Sequence, residues 1–354
     1  MRDSMIFDGS SERRGSILVT GGAGYIGSHA VLALLDAGWP VIVLDNLTTG
    51  FRWAVDPRAS FVEGDVTDSA LVRSILTYHE VAAIMHFAGS VVVPESVVDP
   101  LKYYGNNTAA TCSLLRNAVD CGVPHIVFSS TAATYGSPDV AQVCENTPTR
   151  PINPYGRSKL VVEAMLADAA AAYPINYCAL RYFNVAGADP AGRTGQSTAG
   201  ATHLIKVCVE AALGRRELVE VYGTDYDTHD GTGVRDYIHV SDLADAHVHA
   251  LHLLMDDPEA SHTMNCGYGT GFSVLDVLDA VERISGREIR RVMRPRRPGD
   301  PAALIADNNL ILSRTRWRPR HARLGDIVRH ALAWEDQLAR RKPGQPVGQR
   351  EIAA

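Results

Sequence analysis

The sequence has little that would direct it to a membrane, a secretory route or a nucleic acid. Its first fifteen residues contain no continuous apolar stretch, so we expect neither a secretory signal nor a membrane span. It has no long run of lysine or arginine and a formal net charge of -6, so no electrostatic footprint for a nucleic acid or a membrane surface is visible. A small molecule is therefore the expected partner.

Paired cysteines and metal-binding motifs are also missing. The six cysteines are scattered, and no Cys-x-x-Cys pair occurs. This favours reduced thiols in a cytoplasmic enzyme over a disulfide framework. The acidic stretch from Asp225 to Asp230 fails the calcium-loop pattern, because His229-Asp230-Gly231 breaks the required alternation of acidic or amide residues. We therefore expect no metal site.

The 354 residues, 46% of them hydrophobic, are enough for two lobes. Short apolar strands alternate with segments of helical spacing, and the predicted strands are 16–20, 40–44, 61–65, 83–87, 125–129 and 177–181. This alternation predicts an α/β fold with a doubly wound parallel sheet of the Rossmann type. We expect a cofactor domain over residues 16–190 and about 236–265, a smaller mixed α/β substrate lobe over about 191–235 and 266–337, and flexible tails at 1–15 and 338–354.

A glycine turn follows the first predicted strand. Gly21, Gly24 and Gly27 have the G-x-x-G-x-x-G spacing, and residues 28–37 then carry an apolar helical pattern. Such a turn lets a pyrophosphate approach the backbone, and the helix N-terminus donates amide hydrogen bonds to it. Asp45 ends the next strand, where it can bind both hydroxyls of an adenosine ribose and repel a 2'-phosphate. The pattern therefore predicts NAD rather than NADP.

Asp65 follows the end of another predicted strand, in the sequence Gly64-Asp65-Val66. At such a position it is a candidate contact of the adenine ring. It is an equally good candidate for capping the next helix. The sequence leaves these two alternatives open.

The spacing of Tyr155 and Lys159 predicts an acid/base pair. Four residues apart, they share one face of a helix. A free phenol has a pKa of about 10 and is a poor base at neutral pH. An ammonium about 4 Å away can favour the phenolate by up to about 4 kcal/mol, or roughly 3 pK units, at an effective dielectric of about 20. We therefore expect Lys159 to lower the pKa of Tyr155 enough for general-base catalysis.

Further motifs accompany this pair along the chain. In chain order, the motifs are Thr20–Gly27, His86–Gly89, Ser129–Ala132, Tyr155–Lys159 and Arg181–Asn184. With them the chain resembles the extended short-chain dehydrogenase/reductases. A narrower resemblance, to the members that epimerise UDP-sugars at C4, rests on Leu44–Leu47, Tyr103–Asn107, Gly231–Val240 and Arg296–Asp300. The resemblance extends from about Ser16 to Trp334.

The resemblance implies a role for each matching residue. Tyr155 is the expected base and acid, Thr131 its hydroxyl partner, and Lys159 a contact of the nicotinamide ribose that tunes Tyr155. The expected NAD contacts are Gly21, Gly24, Tyr25, Ile26, Gly27, Asp45, Asn46, Asp65, Val66, Phe87, Ala88, Gly89, Asn106, Tyr155, Lys159 and Tyr182. The expected UDP-sugar contacts are Thr131, Tyr155, Asn184, His203, Leu204, Tyr222, Arg235, Arg297, Asp300 and Leu304. Two arginines suit a diphosphate because guanidinium groups donate several hydrogen bonds and stay charged.

Three positions depart from the pattern of that family. Val91 stands where bacterial members often have a lysine near the cofactor, so this polar contact is absent or supplied elsewhere. His203, in Thr202-His203-Leu204, replaces an asparagine that commonly touches the diphosphate, and a contact here is as open as its absence. Leu304 lies at a pocket position whose size influences the entry of N-acetylated sugars, and leucine leaves that specificity open.

The resemblance implies NAD-dependent interconversion of UDP-glucose and UDP-galactose through a transient 4-keto sugar. A 4-epimerase of UDP-GlcNAc or of a UDP-pentose would use the same chemistry and stays open. A nucleotide-sugar 4,6-dehydratase typically has an acidic pair after its catalytic hydroxyl, and Thr131-Ala132-Ala133 has none. A non-enzymatic NAD sensor would not need Thr131, Tyr155 and Lys159 together. The resemblance also implies a homodimer, formed through outer helices that include the one with Tyr155.

Overall fold

The fold of this chain is given by a computed structural model, which describes residues 15–297 and 299–340. Its strands are β1 (Ser16–Thr20), β2 (Val41–Asp45), β3 (Ser60–Glu63), β4 (Val81–His86), β5 (His125–Ser129), β6 (Gln142–Val143), β7 (Asn176–Tyr182), β8 (Asn184–Ala186), β9 (Val219–Tyr222), β10 (Val234–His239), β11 (His262–Cys266), β12 (Gly271–Ser273), β13 (Arg291–Arg294) and β14 (Ala303–Ala306). Its α-helices are α1 (Tyr25–Asp36), α2 (Ser69–Tyr78), α3 (Val93–Val98), α4 (Pro100–Tyr103), α5 (Ala110–Asp120), α6 (Pro154–Ala172), α7 (Leu204–Ala212), α8 (Val240–Asp256), α9 (Val274–Ser285), α10 (Asn309–Arg314) and α11 (Leu324–Arg340). Short 3-10 helices lie at Arg52–Ala54 and Ala132–Thr134, and a π-helical stretch lies at Tyr104–Ala109.

Seven strands form one parallel sheet in the order β11-β7-β5-β4-β1-β2-β3. The six strands predicted from the sequence all lie in it, and β11 is the seventh. β1 pairs with β2 on one side and with β4 on the other, so Thr20 lies opposite both Leu44 and His86. The strand order therefore reverses between β1 and β4, where a crevice opens at the carboxyl ends of the strands. The predicted doubly wound sheet is confirmed.

Helices cover both faces of this sheet because its central strands are apolar on both sides. On one face α1 and α8 pack together, and Val31, Leu34 and Leu251 are buried in one apolar cluster with residues of β1 and β4. On the other face α2, α5 and α6 bury a second cluster that includes Leu114 and Val162. The carboxyl edge of the sheet is thus held rigidly from both sides, and it is this edge that carries the predicted site.

The smaller lobe is built on β10. In its sheet the strand order is β12-β10-β14-β6, and β8 also pairs with β10. Asp236, fully buried in β10, accepts hydrogen bonds from the backbone N–H groups of Tyr268 and Gly269. Burial raises the pKa of Asp236 to about 6. The Asp236 carboxylate therefore links β10, which carries Arg235, to the loop after β11. Helices α7, α9 and α11 enclose the apolar core of this lobe.

The division of the chain between the two sheets differs from the predicted domain boundaries. The short strands β6 and β8 come from the predicted cofactor segment and join the smaller sheet. The predicted tails lie mostly outside the described residues, but α11 continues to Arg340, so residues 338–340 are helical. Over residues 15–297 and 299–340, no helix is both long and apolar enough to cross a membrane.

Candidate active site

The glycine turn joins β1 to α1 at the carboxyl edge of the large sheet. Gly21 has a φ of 72°, and a side chain there would meet the backbone nitrogen of Ala88 at 2.6 Å. A Cβ added to Gly27 would lie 2.2 Å from the carbonyl oxygen of Gly21, so both positions require glycine. Within the described residues, the first turn of α1 has neither a capping side chain nor an acidic residue. Its N–H groups are therefore available to an anion.

Asp45 ends β2 beside this turn and is 8% exposed. One carboxylate oxygen accepts a hydrogen bond from the N–H of Ala23 at 2.9 Å, and the other accepts one from the N–H of Leu47 at 2.8 Å. These bonds fix the carboxylate against the glycine turn, and each oxygen keeps acceptor capacity for a further donor. The arrangement fits the ribose hydroxyls of an adenine dinucleotide.

Asp65 lies beyond β3 and contacts the loop after β2. It accepts hydrogen bonds from Asn46 Nδ2 at 2.7 Å and from both the N–H and the hydroxyl of Thr67. Burial works against ionisation of Asp65, but the bonds from Thr67 and Asn46 lower its pKa. The cap of α2 is Asp68, which accepts from the N–H of Leu71 at 3.0 Å. The capping alternative for Asp65 is therefore wrong, and its contact with the adenine stays a prediction.

Four more predicted NAD contacts follow the carboxyl ends of β3 and β4, and they are Val66, Phe87, Ala88 and Gly89, whereas Ile26 lies in the first turn of α1. The exit of β4 is attached to α6 by Asn107, in the π-helical stretch. Asn107 accepts from the N–H of Ser90 at 2.7 Å and donates to Ser158 Oγ at 2.9 Å. The sequence indicated Asn106, but that side chain is exposed and donates to Ser90 Oγ. Asn107 is thus the buried amide of this motif.

Tyr155 and Lys159 lie on the first turns of α6, which Asn153 caps with its side chain. They are 6% and 2% exposed, respectively. Thr131 follows β5, and its hydroxyl faces the phenol of Tyr155. Lys159 Nζ donates a hydrogen bond to the carbonyl oxygen of Ser129 at 3.0 Å. The structure therefore brings the three predicted catalytic residues together at the exit of β5.

Burial has the largest effect on the pKa values of Tyr155 and Lys159. It raises the pKa of Tyr155, and the hydroxyl of Thr131 acts in the opposite direction as a hydrogen-bond partner. Burial also lowers the pKa of Lys159 to about 8. The predicted lowering of the Tyr155 pKa by Lys159 is therefore wrong for the protein without a cofactor. A phenolate at Tyr155 needs a further positive charge, such as the pyridinium ring of an oxidised nicotinamide.

Two buried polar side chains near the predicted catalytic residues are uncharged, those of His86 and Tyr182. His86 was not identified from the sequence as a separate residue; its ring nitrogens lie 2.7 Å from Thr20 Oγ1 and 2.8 Å from Thr111 Oγ1. Burial, together with the charge of Lys159, lowers the pKa of His86 to about 3. Tyr182 Oη lies 2.6 Å from the hydroxyl of Ser129, and burial raises its pKa. Both side chains are therefore neutral at physiological pH.

Four of the predicted substrate contacts lie in the smaller lobe as two pairs. Arg235 Nη2 lies 3.6 Å from the carboxylate of Asp300. The guanidinium of Arg297 lies over the ring of Tyr222, 3.9 Å from its centre. Both arginines therefore stand beside partners that hold their side chains in place while leaving donor groups for a diphosphate.

Leu304 connects this lobe to the catalytic edge. It lies opposite Arg235 in the pairing of β14 with β10. It also packs in an apolar cluster with Ala132 and Phe183. Ala132 directly follows Thr131, so Leu304 belongs to the same apolar cluster as the residue next to the predicted hydroxyl partner.

The other predicted substrate contacts are more open. Asn184 and His203 are exposed, and Leu204 begins α7. A partly open cavity lies between Tyr25, β8, α7 and α11, and His203 borders it. None of the described residues lining this cavity is a predicted catalytic residue. A contact of His203 with the diphosphate stays a prediction.

One group of side chains in the described part of the chain could hold a metal ion. His229, Asp230 and Asp276 place ligand atoms within 4.8 Å of one another. Asp230 already accepts hydrogen bonds from Thr232 and from the hydroxyl of Ser273. Asp276 accepts from the N–H of Ser273 in the capping box of α9. The two carboxylates therefore act as structural acceptors that fix the start of α9.

Known proteins share this architecture. The profile of the NAD dependent epimerase/dehydratase family matches residues 17–267. The chain belongs to this family. Among its relatives, UDP-glucose 4-epimerase of Azospirillum brasilense is 54% identical over 333 residues, which are 94% of either chain.

Solved structures of related proteins resemble the whole fold of this chain. The crystal structure of UDP-glucose 4-epimerase from Brucella ovis in complex with NAD has a TM-score of 0.88 and 44% identity, covering 90% of this chain and 98% of that one. That of UDP-glucose-4-epimerase from Stenotrophomonas maltophila, with bound NAD and formylated UDP-arabinopyranose, has a TM-score of 0.89 and 40% identity, covering 92% and 99%. The similarity thus includes the smaller lobe as well as the large sheet.

Proposed function

We propose that this protein is an NAD-dependent 4-epimerase that interconverts UDP-glucose and UDP-galactose through a transient 4-keto sugar. The observation that carries the proposal is the burial of Tyr155 and Lys159 beside Thr131 at the same sheet edge as the glycine turn and Asp45. Relatives named UDP-glucose 4-epimerase, similar over nearly the whole chain, support it. Epimerisation at C4 needs this proximity, because a proton and a hydride must leave the same carbinol centre.

The residues that hold the cofactor follow from the fit described above. Gly21, Gly27 and the first turn of α1 receive the pyrophosphate, and Asp45 receives the adenosine ribose. Bound NAD supplies the hydride acceptor and donor for C4, and its positive charge favours the phenolate of Tyr155. Lys159, held by the carbonyl oxygen of Ser129, would contact the nicotinamide ribose.

Tyr155 moves the proton. As a phenolate it takes the proton of the sugar 4-hydroxyl, with Thr131 as the intervening or orienting hydroxyl, and it returns a proton when the 4-keto group is reduced. Burial raises the pKa of Tyr155 in the protein alone, so the phenolate depends on the positive charge that bound NAD would supply. Proton abstraction is thereby confined to the loaded enzyme.

The smaller lobe holds the nucleotide while the sugar turns. Arg235 and Arg297 bind the diphosphate of the UDP-sugar, and Asp300 orients Arg235. The hexose pocket is bordered by Leu304, an apolar side chain that offers no fixed hydrogen bond to one face of the ring. The 4-keto sugar can therefore rotate about its link to the phosphate and present its other face to the hydride donor.

We also propose that two copies associate through the surface around α6, and that the protein works in the cytoplasm. α3 and α4 pack against α6, and together they expose Val98 at 86%, Leu101 at 79% and Val161 at 41%. Such a patch favours an interface. All six cysteines are free, which suits a reducing compartment. Light scattering of the wild type and of Val98→Glu/Leu101→Glu tests the dimer, since we expect only the variant to be monomeric.

The epimerase activity is tested by incubating the purified protein with UDP-galactose and measuring the UDP-glucose formed. Parallel incubations with UDP-GlcNAc and a UDP-pentose compare the alternative epimerisations, and mass spectrometry detects the loss of water that a 4,6-dehydratase would cause. We expect an approach to equilibrium from either UDP-hexose, without net redox change. No conversion of UDP-galactose by protein that contains bound NAD would refute the proposal.

A further inference from the structure

Three consecutive residues at the exit of β5 are tied to three successive turns of α6. Lys159 donates to the carbonyl oxygen of Ser129 at 3.0 Å. The hydroxyl of Ser130 donates to the carboxylate of Glu163 at 2.5 Å. Thr131, the third residue, faces Tyr155. The outer two contacts involve the predicted catalytic trio, whereas the middle one does not.

We propose that Glu163 and Ser130 are positioning residues, which hold Thr131 at the distance from Tyr155 that proton transfer requires. This inference rests on the proposed function and adds two residues to it. Glu163 continues the four-residue spacing of Tyr155 and Lys159, so all three side chains lie on one face of α6. Ser130 is fully buried and immediately precedes Thr131. A bond that fixes Ser130 therefore fixes the backbone from which the Thr131 hydroxyl extends.

Glu163 is suited to this role because its own position is fixed from a third element. Arg181, on β7, donates from Nε at 3.0 Å and from Nη2 at 2.6 Å to the Glu163 carboxylate. Both side chains are buried, with exposures of 8% for Arg181 and 6% for Glu163. A bidentate contact of this kind restricts the carboxylate in direction as well as in distance. The bond to Ser130 thus starts from a rigid acceptor.

The network extends further into the fold and closes around the same strand exit. Arg181 Nη1 also donates to Tyr135 Oη at 3.1 Å, and Tyr135 donates to Asn265 Oδ1 at 2.7 Å. Tyr135 directly follows the 3-10 helix that begins after Thr131. β5 and β7 are paired in register, with Ser129 opposite Leu180. The segment that carries Thr131 is therefore clamped from both ends by one buried ion pair.

The decisive variant is Ser130→Ala, which removes the hydroxyl while leaving the ion pair of Glu163 with Arg181 intact. Displacement of a catalytic group by about 1 Å can lower turnover by roughly 100-fold. We therefore expect kcat to fall by about 10- to 100-fold, with KM for UDP-galactose and the content of bound NAD unchanged. Because Thr131 lowers the pKa of Tyr155, its displacement should also move the acidic limb of the kcat profile to higher pH.

Ser273→Ala is the matched control. Its hydroxyl is also fully buried and also donates to a carboxylate, that of Asp230, at 2.5 Å. It lies in the smaller lobe at the start of α9, where its loss should lower the melting temperature at least as much. We expect kcat and the pH profile of this variant to match the wild type.

The outcomes separate the inference from the proposed function. An inactive wild type with bound NAD removes the proposed epimerase and this inference with it. An active wild type whose kcat and pH profile are unaltered by Ser130→Ala overturns the positioning role alone. A loss of kcat accompanied by loss of NAD and no shift of the pH profile also overturns it, because that pattern indicates a general structural defect.

Discussion

Gly27→Ala perturbs the cofactor turn at its tightest point. An added Cβ at position 27 would lie 2.2 Å from the carbonyl oxygen of Gly21 and 2.9 Å from Gly22 Cα. Both neighbours are backbone atoms, so no side-chain rotation can relieve the contact. Ordinary van der Waals contact begins at 3.4 Å, and the turn would have to move away from α1 by 1.2 Å, the difference from 2.2 Å.

Such overpacking costs about 1–3 kcal/mol. The displaced turn is the part of the chain that should receive the pyrophosphate, so this penalty opposes cofactor binding directly. A penalty of that size corresponds to a loss of NAD affinity of about 5- to 150-fold. We therefore expect Gly27→Ala to leave purification largely without bound NAD and to recover activity only when NAD is added in excess.

The assay is the NAD content of the purified protein, followed by titration with NAD and measurement of UDP-galactose conversion. Gly38→Ala is the control, because Gly38 follows the other end of α1 and also has a positive φ, of 80°. No described atom lies within 4 Å of its added Cβ. It should lose about 1–2 kcal/mol of stability from the backbone conformation alone and keep its NAD. Full NAD content in Gly27→Ala would refute the proposed pyrophosphate site.

Three further predictions follow from buried groups. Among the histidines whose pKa burial lowers, four have buried side chains, and these are His29, His86, His239 and His247. These histidines are neutral in the folded protein and have a pKa of about 6.5 in the unfolded chain, so each stabilises the fold above that pH. This contribution falls by up to about 1.4 kcal/mol per pH unit as the pH drops below 6.5. Urea unfolding at pH 7.5, 6 and 5 should show the decline in the free energy of unfolding, and a flat profile would contradict it. Glu163→Gln leaves Arg181 buried without its carboxylate and should lower the free energy of unfolding by about 3–5 kcal/mol in the same assay, whereas a loss below about 1 kcal/mol would show that the pair is solvated. Leu304→Ala should enlarge the sugar pocket and raise kcat/KM for UDP-GlcNAc relative to UDP-glucose; an unchanged ratio in competition assays would place the limit on sugar size elsewhere.

Local patterns in the sequence were enough to predict the frame of the site. The glycine turn, Asp45 at the end of β2 and the shared helix face of Tyr155 and Lys159 each depend on residues within a few positions of one another. Six strands of the large sheet were predictable for the same reason, since each is a short apolar run. β11 was not among them because its alternating polar residues, His262-Thr263-Met264-Asn265-Cys266, give no such run.

The features of the site that were not predicted from the sequence depend on contacts between residues far apart in the chain. Asn107 rather than Asn106 is buried between Ser90 and Ser158 in a π-helical stretch, and that local change of helix type has no clear signal in the residues. The direction of the Tyr155 pKa shift was wrong because the depth of burial depends on the whole sheet edge. Glu163 did have a signal, since it extends the spacing of Tyr155 and Lys159 by one more turn.

In the proposed reaction the phenol of Tyr155 carries the proton, and other residues bind the nucleotide and the cofactor. The most direct test is Tyr155→Phe, with turnover of UDP-galactose, bound NAD and the affinity for UDP measured on the same preparation. General acid/base catalysis contributes about 100- to 10,000-fold, so we expect turnover to fall by at least about 100-fold while bound NAD and the affinity for UDP stay at wild-type values. Turnover within a few fold of the wild type would contradict the account.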